Sequence, residues 1–219
     1  MGPEASAKML EVLVTMASRE FGARNGQDFP EIIVDSIPVP DFISERSNLD
    51  LAGEMLTDRV MRLAGLNIFC FAIACNTAHI LLGRLSKAST KPFVSIIDSV
   101  VDKVEAEGIT KVGLLASPST IKARLYQDTL AKFGIETIIP TQNGLGVIEE
   151  IIRNVIAGIS TKEDGRRLEK IAESFVAKGA QGIILGCTEL PLVFPRNFPL
   201  PVFDSIDILS RRLLTNFFE

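Results

Sequence analysis

Apolar positions along the chain follow two spacings. Short runs rich in β-branched residues recur at 31–35, 68–74, 93–96, 111–116, 137–139, 182–185 and 202–203, and these read as strands. Between them, apolar residues return every three or four positions. That spacing predicts helices over roughly 3–22, 51–65, 77–88, 97–107, 119–133, 145–158, 163–178 and 205–217. In the first helix Pro3 suits the first helical position, Glu4 complements the dipole, and Met9, Leu10, Leu13, Met16 and Ala17 form the apolar stripe. Strand–helix alternation marks an α/β protein with parallel strands. The runs at 68–74 (IFCFAIA) and 182–186 (GIILG) are apolar throughout, as strands covered on both faces are.

A weak internal repeat organises these elements. One strand of the first half ends in Ala74-Cys75-Asn76-Thr77, and one of the second ends in Gly186-Cys187-Thr188-Glu189. Pro3 and Pro118 stand at nearly the same distance ahead of the two cysteines, each opening a helix. Pro118, however, follows the strand at 111–116, and Pro3 follows only Met1-Gly2. The first half therefore reads as lacking its opening strand, and an upstream frame encoding a short apolar strand followed by Gly-Gly would make Met1 an internal methionine. The expected halves are 1–98 and 99–200, with 201–219 returning to pack on the first. Both cysteines then lie at carboxyl ends of strands, where open α/β sheets bind ligands.

Composition narrows the classes. The 219 residues are 47% hydrophobic and 23% charged, with a net charge of −4 and no basic cluster, which argues against nucleic acid as a partner. The longest apolar run, 68–75, is too short to cross a membrane, and the amino terminus carries no secretory signal pattern. Three cysteines give neither a disulfide framework nor a CxxC metal spacing, so a reducing cytoplasm is expected, with no metal. Gly144-Leu145-Gly146 lacks the third glycine of a dinucleotide site, and no lysine stands where a pyridoxal Schiff base would form.

Cys75 and Cys187 are each followed at once by side chains that suit a helix N-cap. A thiol there gains from the dipole and free N–H groups, so a lowered pKa and a thiolate are expected. The same N–H groups, with Asn76, Thr77 and Thr188, can hold a carboxylate. Two thiols facing each other across a cleft can remove a proton from one face of a carbon and deliver one to the other. The competing reading is a small buried hydrophobe, which Cys70 takes in full at mid-strand. His79, the only histidine, could tune Cys75 or simply end a helix. Glu189 could act as a base behind Cys187 or merely complement a first helical turn. Ser117, Ser119 and Thr120 either cap a helix or bind carboxylate.

The stretches Ala74-Cys75-Asn76-Thr77-Ala78-His79 and Gly186-Cys187-Thr188-Glu189-Leu190 resemble the paired signatures of the aspartate/glutamate racemase family, closest to its aspartate racemases. Met1-Gly2-Pro3-Glu4-Ala5 resembles the end of that family's opening Gly-Gly-Met-Gly-Pro loop. The resemblance implies two pseudo-symmetric, flavodoxin-like parallel α/β domains with the active site between them, commonly in a homodimer. It implies cofactor-independent racemisation of an amino acid, aspartate or glutamate first, by Cys75 and Cys187. Met1, Asn76, Thr77, Ser117, Thr120, Thr188 and Arg46 would bind substrate, with His79 and Glu189 behind them. Two positions depart from the aspartate pattern. Phe42 stands where an arginine follows Pro-Asp, leaving Arg46 as a substitute, and Ile156 replaces a lysine before Ala157-Gly158. Hydantoin-racemase or maleate-isomerase chemistry, and a truncated non-catalytic ligand-binding paralogue, remain the alternatives.

Overall fold

Apolar runs pair as parallel strands in two sheets, seen in a computed structural model that describes residues 2–44 and 48–219. Met1 and Arg46 lie outside the described residues. In the first half, α1 (Pro3–Glu20) and α2 (Leu49–Ala64) precede β1 (Phe71–Ala72). A 3-10 turn over Thr77–Leu81 leads into the short α3 (Leu82–Leu85), and β2 (Phe93–Val94) pairs with β1. α4 (Ile96–Ala106) is capped by Ser95, whose hydroxyl accepts from the Asp98 N–H. The second half runs through β3 (Lys111–Ala116), α5 (Pro118–Lys122), α6 (Leu125–Lys132), β4 (Glu136–Ile138), α7 (Gln142–Ile156), α8 (Lys162–Val176) and β5 (Gly182–Gly186). β6 (Val202–Asp204) and α9 (Ser205–Phe218) close the chain.

The second sheet has the order β4-β3-β5-β6, all parallel, with Val112 opposite Gly182 and Ala116 opposite Gly186. β3 and β5 approach closely at their carboxyl ends. A Cβ on Gly186 would lie 2.9 Å from Leu114 Cδ1 and 3.0 Å from Tyr126 Cε2, so these buried side chains would have to shift. Buried side chains form three clusters. One lies outside each sheet, and the largest joins α1, α4, α6 and α9 to β3 between the halves. Each fully buried Leu or Ile contributes about 1.5–3 kcal/mol.

Several expectations are corrected. Among the described residues, 31–35 pair with no strand, and of 68–74 only Phe71–Ala72 pairs, because β1 has a parallel partner on its β2 side alone. The helix expected over 119–133 breaks at Arg124, which takes the left-handed conformation at φ 57°. The stretch 77–88 is mostly 3-10. The terminal segment divides: β6 extends the second sheet beside β5, and only α9 reaches back, packing on α1 and α4. Ile183–Leu185 offered β6 an open edge with matching register. Among the described residues, no helix is long and apolar enough to cross a membrane.

Candidate active site

The turns after β1 and β5 bring Cys75 and Cys187 to one cleft between the halves. Its walls are Gly2, Asp41, Phe42, Ile43, Cys75, Thr77, Ile152, Ile156, Cys187 and Glu189. Cys187 follows β5 directly, and Cys75 follows β1 after Ile73 and Ala74, each where an apolar run gives way to side chains that prefer turns. The turns are 3-10 segments, at Thr77–Leu81 and Leu190–Leu192, and not full helices. The dipole available to each thiol is correspondingly small.

Burial decides the thiols' charge. Burial, and then the nearby Glu189 carboxylate, push the Cys75 thiol up to about 11, although the N–H groups of Ala78 and Thr77 pull the other way. Burial and Glu189 likewise hold Cys187 well above the usual thiol range. The expected resting thiolate is therefore replaced by two neutral thiols. Cys187 Sγ donates to Glu189 Oε2 at 3.0 Å, and Thr188 Oγ1 donates to the same oxygen at 3.0 Å. Gly2 packs so tightly against Glu189 that a Cβ there would lie 2.6 Å from Oε1.

Opposite, Thr77, Ser117 and Thr120 form a buried triangle of hydroxyls, Thr77 to Ser117 at 2.8 Å and to Thr120 at 3.1 Å. Ser117 donates to Thr120 at 2.9 Å, and its Oγ also accepts from the Thr120 N–H at 3.2 Å, capping α5. Of the three, Thr77 lines the cleft. Asn76 points elsewhere. Its Oδ1 accepts from Tyr126 Oη at 2.6 Å and its Nδ2 donates to Ser205 Oγ at 3.0 Å, so its side chain is occupied in holding the turn. His79 is likewise engaged on both nitrogens. Nδ1–H donates to the Cys75 carbonyl at 2.9 Å, and Nε2 accepts from the Ile96 N–H at 3.1 Å. Burial pushes its pKa down to about 4, which keeps the ring neutral and in this tautomer.

Sequence reasoning did not find Tyr126 and Ser205. The one available signal was that Tyr126 is the sole tyrosine of the chain, in a stretch that buries it completely. It also missed the strap formed by residues 41–44. Asp41 Oδ2 pairs with Arg153 Nη1 at 2.9 Å, Ser44 Oγ accepts from Arg153 Nη2 at 3.2 Å, and the Ile43 carbonyl accepts from the Ser119 N–H at 2.9 Å. With the strap down, the cleft holds about 20 Å³, enough for a water and not for an amino acid. Among the described residues, no three His, Cys, Asp or Glu side chains gather as metal ligands.

A family model described as Asp/Glu/hydantoin racemase matches residues 1–213. The chain is 21% identical to the broad specificity amino-acid racemase RacX of Bacillus subtilis, over 99% of this chain and 95% of that protein. An aspartate racemase homologue from Pyrococcus horikoshii superposes with a TM-score of 0.82 at 27% identity, covering 99% of this chain and 95% of its own. The aspartate racemase of Picrophilus torridus superposes with a TM-score of 0.85 at 25% identity, covering 99% and 90%.

Proposed function

Because the chain belongs to the Asp/Glu/hydantoin racemase family, we propose that it inverts the α-carbon of an amino acid with Cys75 and Cys187 as its two bases. The observation that carries this reading is the pair of thiols on one cleft, each at the carboxyl end of a parallel strand. Family membership makes the activity that of an isomerase. The assignment of the bases, and of the substrate, is our own.

Both thiols rest neutral, so one must first lose its proton. Glu189 is placed to take it from Cys187, leaving a thiolate and a carboxylic acid. The thiolate then removes the α-proton, and Cys75 supplies its own proton to the opposite face of the carbon. Product leaves the proton on Cys187 and the negative charge on Cys75, so the two sulfurs exchange roles between directions. The α-proton is far less acidic than a thiol. The developing charge must therefore be met by fixed donors, for which the Thr77 and Thr188 hydroxyls and the main-chain N–H groups of the two turns are available.

For the substrate, the walls beside the thiols are Phe42, Ile43, Ile152 and Ile156, and Arg153, the residue after Ile152, is held by Asp41 and Glu149. We take the side chain accepted there to be uncharged, in preference to that of aspartate or glutamate. The Bacillus subtilis relative, named for broad specificity, is compatible with that choice. A homodimer in the cytoplasm belongs to the same proposal. Sedimentation that finds only monomer would remove the dimer.

The test follows deuterium from solvent into Cα, with chiral readout, over leucine, alanine, methionine, aspartate and glutamate. Cys75→Ala and Cys187→Ala are each expected to lose racemisation by at least roughly a thousandfold, with exchange surviving for one enantiomer only. Undiminished exchange of both enantiomers in both variants would sink the two-thiol mechanism. Faster turnover of aspartate than of leucine would overturn the substrate choice.

A further inference from the structure

Among the described residues, Arg124 alone combines a side chain with a left-handed backbone, at φ 57°. That conformation is strained for an L residue, and such strain persists where the surroundings hold it in place. It makes an elbow between α5 and α6. The Arg124 side chain does not explain it, because its Nε only meets Asp128 Oδ1 at 2.7 Å on the exposed surface. The flanking helices do. On one continuous helix, Thr120 and Tyr126 would point about 120° apart, since each residue advances about 100° around the axis. The elbow instead lets both reach the same turn. Thr120 Oγ1 lies 3.1 Å from Thr77 Oγ1, and Tyr126 Oη donates to Asn76 Oδ1 at 2.6 Å. Asn76 and Thr77 directly follow Cys75.

The ring of the same tyrosine meets the flank of the other thiol. Its Cε2 edge lies against Gly186, the last residue of β5 and the one before Cys187, so closely that a Cβ there would stand 3.0 Å away. One fully buried side chain therefore touches the residue after Cys75 and the residue before Cys187. Burial, and then the neighbouring Cys187 and Asp204 when ionised, hold the Tyr126 phenol well above its usual range. It keeps its proton while either sulfur carries charge, and it goes on donating to Asn76 throughout. The tyrosine neither supplies a proton to the cleft nor competes for one. Asn76 is fixed from its other end as well, where Nδ2 donates to Ser205 Oγ at 3.0 Å.

We propose that Tyr126 is the positioning residue for both thiols: its hydroxyl places Cys75 through Asn76, and its ring places Cys187 through Gly186. A planar ring with two rotatable bonds is a stiff spacer. The two cysteine turns belong to different halves, β1 to the first sheet and β5 to the second, so neither sheet by itself fixes the distance between the sulfurs. Its chemical purpose rests on the two-base reading above. Groups that work on opposite faces of one carbon must stand at a set separation, and an error of about 1 Å costs on the order of 100-fold in rate. The strained elbow at Arg124 is what brings the spacer to its place.

The test compares the parent with Tyr126→Phe, Tyr126→Leu and Leu130→Val, the last a buried change about one turn further along α6 that costs stability alone. Iodoacetamide alkylation of Cys75 and Cys187 is followed residue by residue by mass spectrometry, with Cys70 as internal reference. Loss of the hydroxyl frees Asn76, lets water reach Cys75 and brings its thiol down from about 11. Tyr126→Phe is expected to speed alkylation of Cys75 by about fivefold or more and to leave Cys187 within about twofold. Tyr126→Leu, which also removes the ring, is expected to speed both, and Leu130→Val neither. In racemisation, Tyr126→Phe is expected to lower kcat by about 10- to 100-fold with KM within about threefold. An unchanged Cys75 in Tyr126→Phe, an unchanged Cys187 in Tyr126→Leu, or the same pattern in Leu130→Val overturns the proposal, as does an effect on KM alone. Alkylation needs no substrate and decides the positioning by itself. A parent that racemises no amino acid counts against the two-base reading, which is thereby judged separately.

Discussion

His79 illustrates how a side chain with the credentials of a catalytic group can be committed to architecture. Its two nitrogens join the Cys75 carbonyl to the first N–H of α4, and its pKa is pushed down to about 4 by burial. The folded state therefore holds fewer protons than the unfolded chain between pH 6.5 and about 4. The stabilisation is complete above 6.5 and declines as pH falls through that window, by roughly 3 kcal/mol in all. Asp204, raised to about 6 by burial and Asp207, acts over an overlapping range with the opposite sign. Denaturant titrations of the parent and His79→Gln across pH 4–7 isolate the histidine, and the acid slope is expected only in the parent. Glu189 carries the complementary prediction. Glu189→Gln leaves the Cys187 proton without its acceptor and is expected to lower kcat by about 100-fold, with the residual rate climbing as pH rises. A pH-independent residual rate would count against the carboxylate as proton acceptor.

Between elements, one chain of buried hydrogen bonds ties three segments that are remote in sequence. Tyr126 on α6 donates to Asn76 in the Cys75 turn, which donates to Ser205 at the start of α9. Tyr126→Phe leaves Asn76 Oδ1 buried and unpaired, at a cost of about 1–3 kcal/mol. The expected loss in Tm is about 4–8 °C, measurable by calorimetry, accompanied by slower turnover as the Cys75 turn loosens. Such a link was not legible beforehand, because nothing local distinguishes a helical tyrosine that reaches across from one that packs in place. The strand at 111–116 was fully legible, since a run apolar on both faces fits only a covered strand, and the cysteines stood out through their matched flanks. Residues 31–35 carry the same kind of pattern and still make no ladder. A strand is a property of pairs of segments, and its partner is not written in its own residues. The break at Arg124 was equally hidden, as neither glycine nor proline marks it. The thiols' charge was misread for a related reason, because turn chemistry is local and burial is not.

At the scale of the whole molecule, the strap from Asp41 to Ser44 bridges the halves and shuts the cleft to the size of a water. Under the proposed function, substrate has to lift it. The Asp41–Arg153 pair is about half exposed, so it is worth about 1 kcal/mol or less. Asp41→Asn keeps the Oδ1 acceptor for the Ile43 N–H and removes the charge. We expect KM to fall by up to about fivefold at low ionic strength, because the open form is no longer held back. At 0.5 M salt the two proteins are expected to converge, as steady-state kinetics at both salt concentrations would reveal. The packing of α9 on α1 has a consequence in time as well as in space. On the ribosome, α1 emerges nearly a full chain length before α9, the element that covers its Leu13 and Met16 stripe. At about 5–20 residues per second the wait lasts on the order of ten seconds or more. Until then the nascent protein carries an uncovered apolar helix, and α1 can lock into place only after Phe218 has left the ribosome.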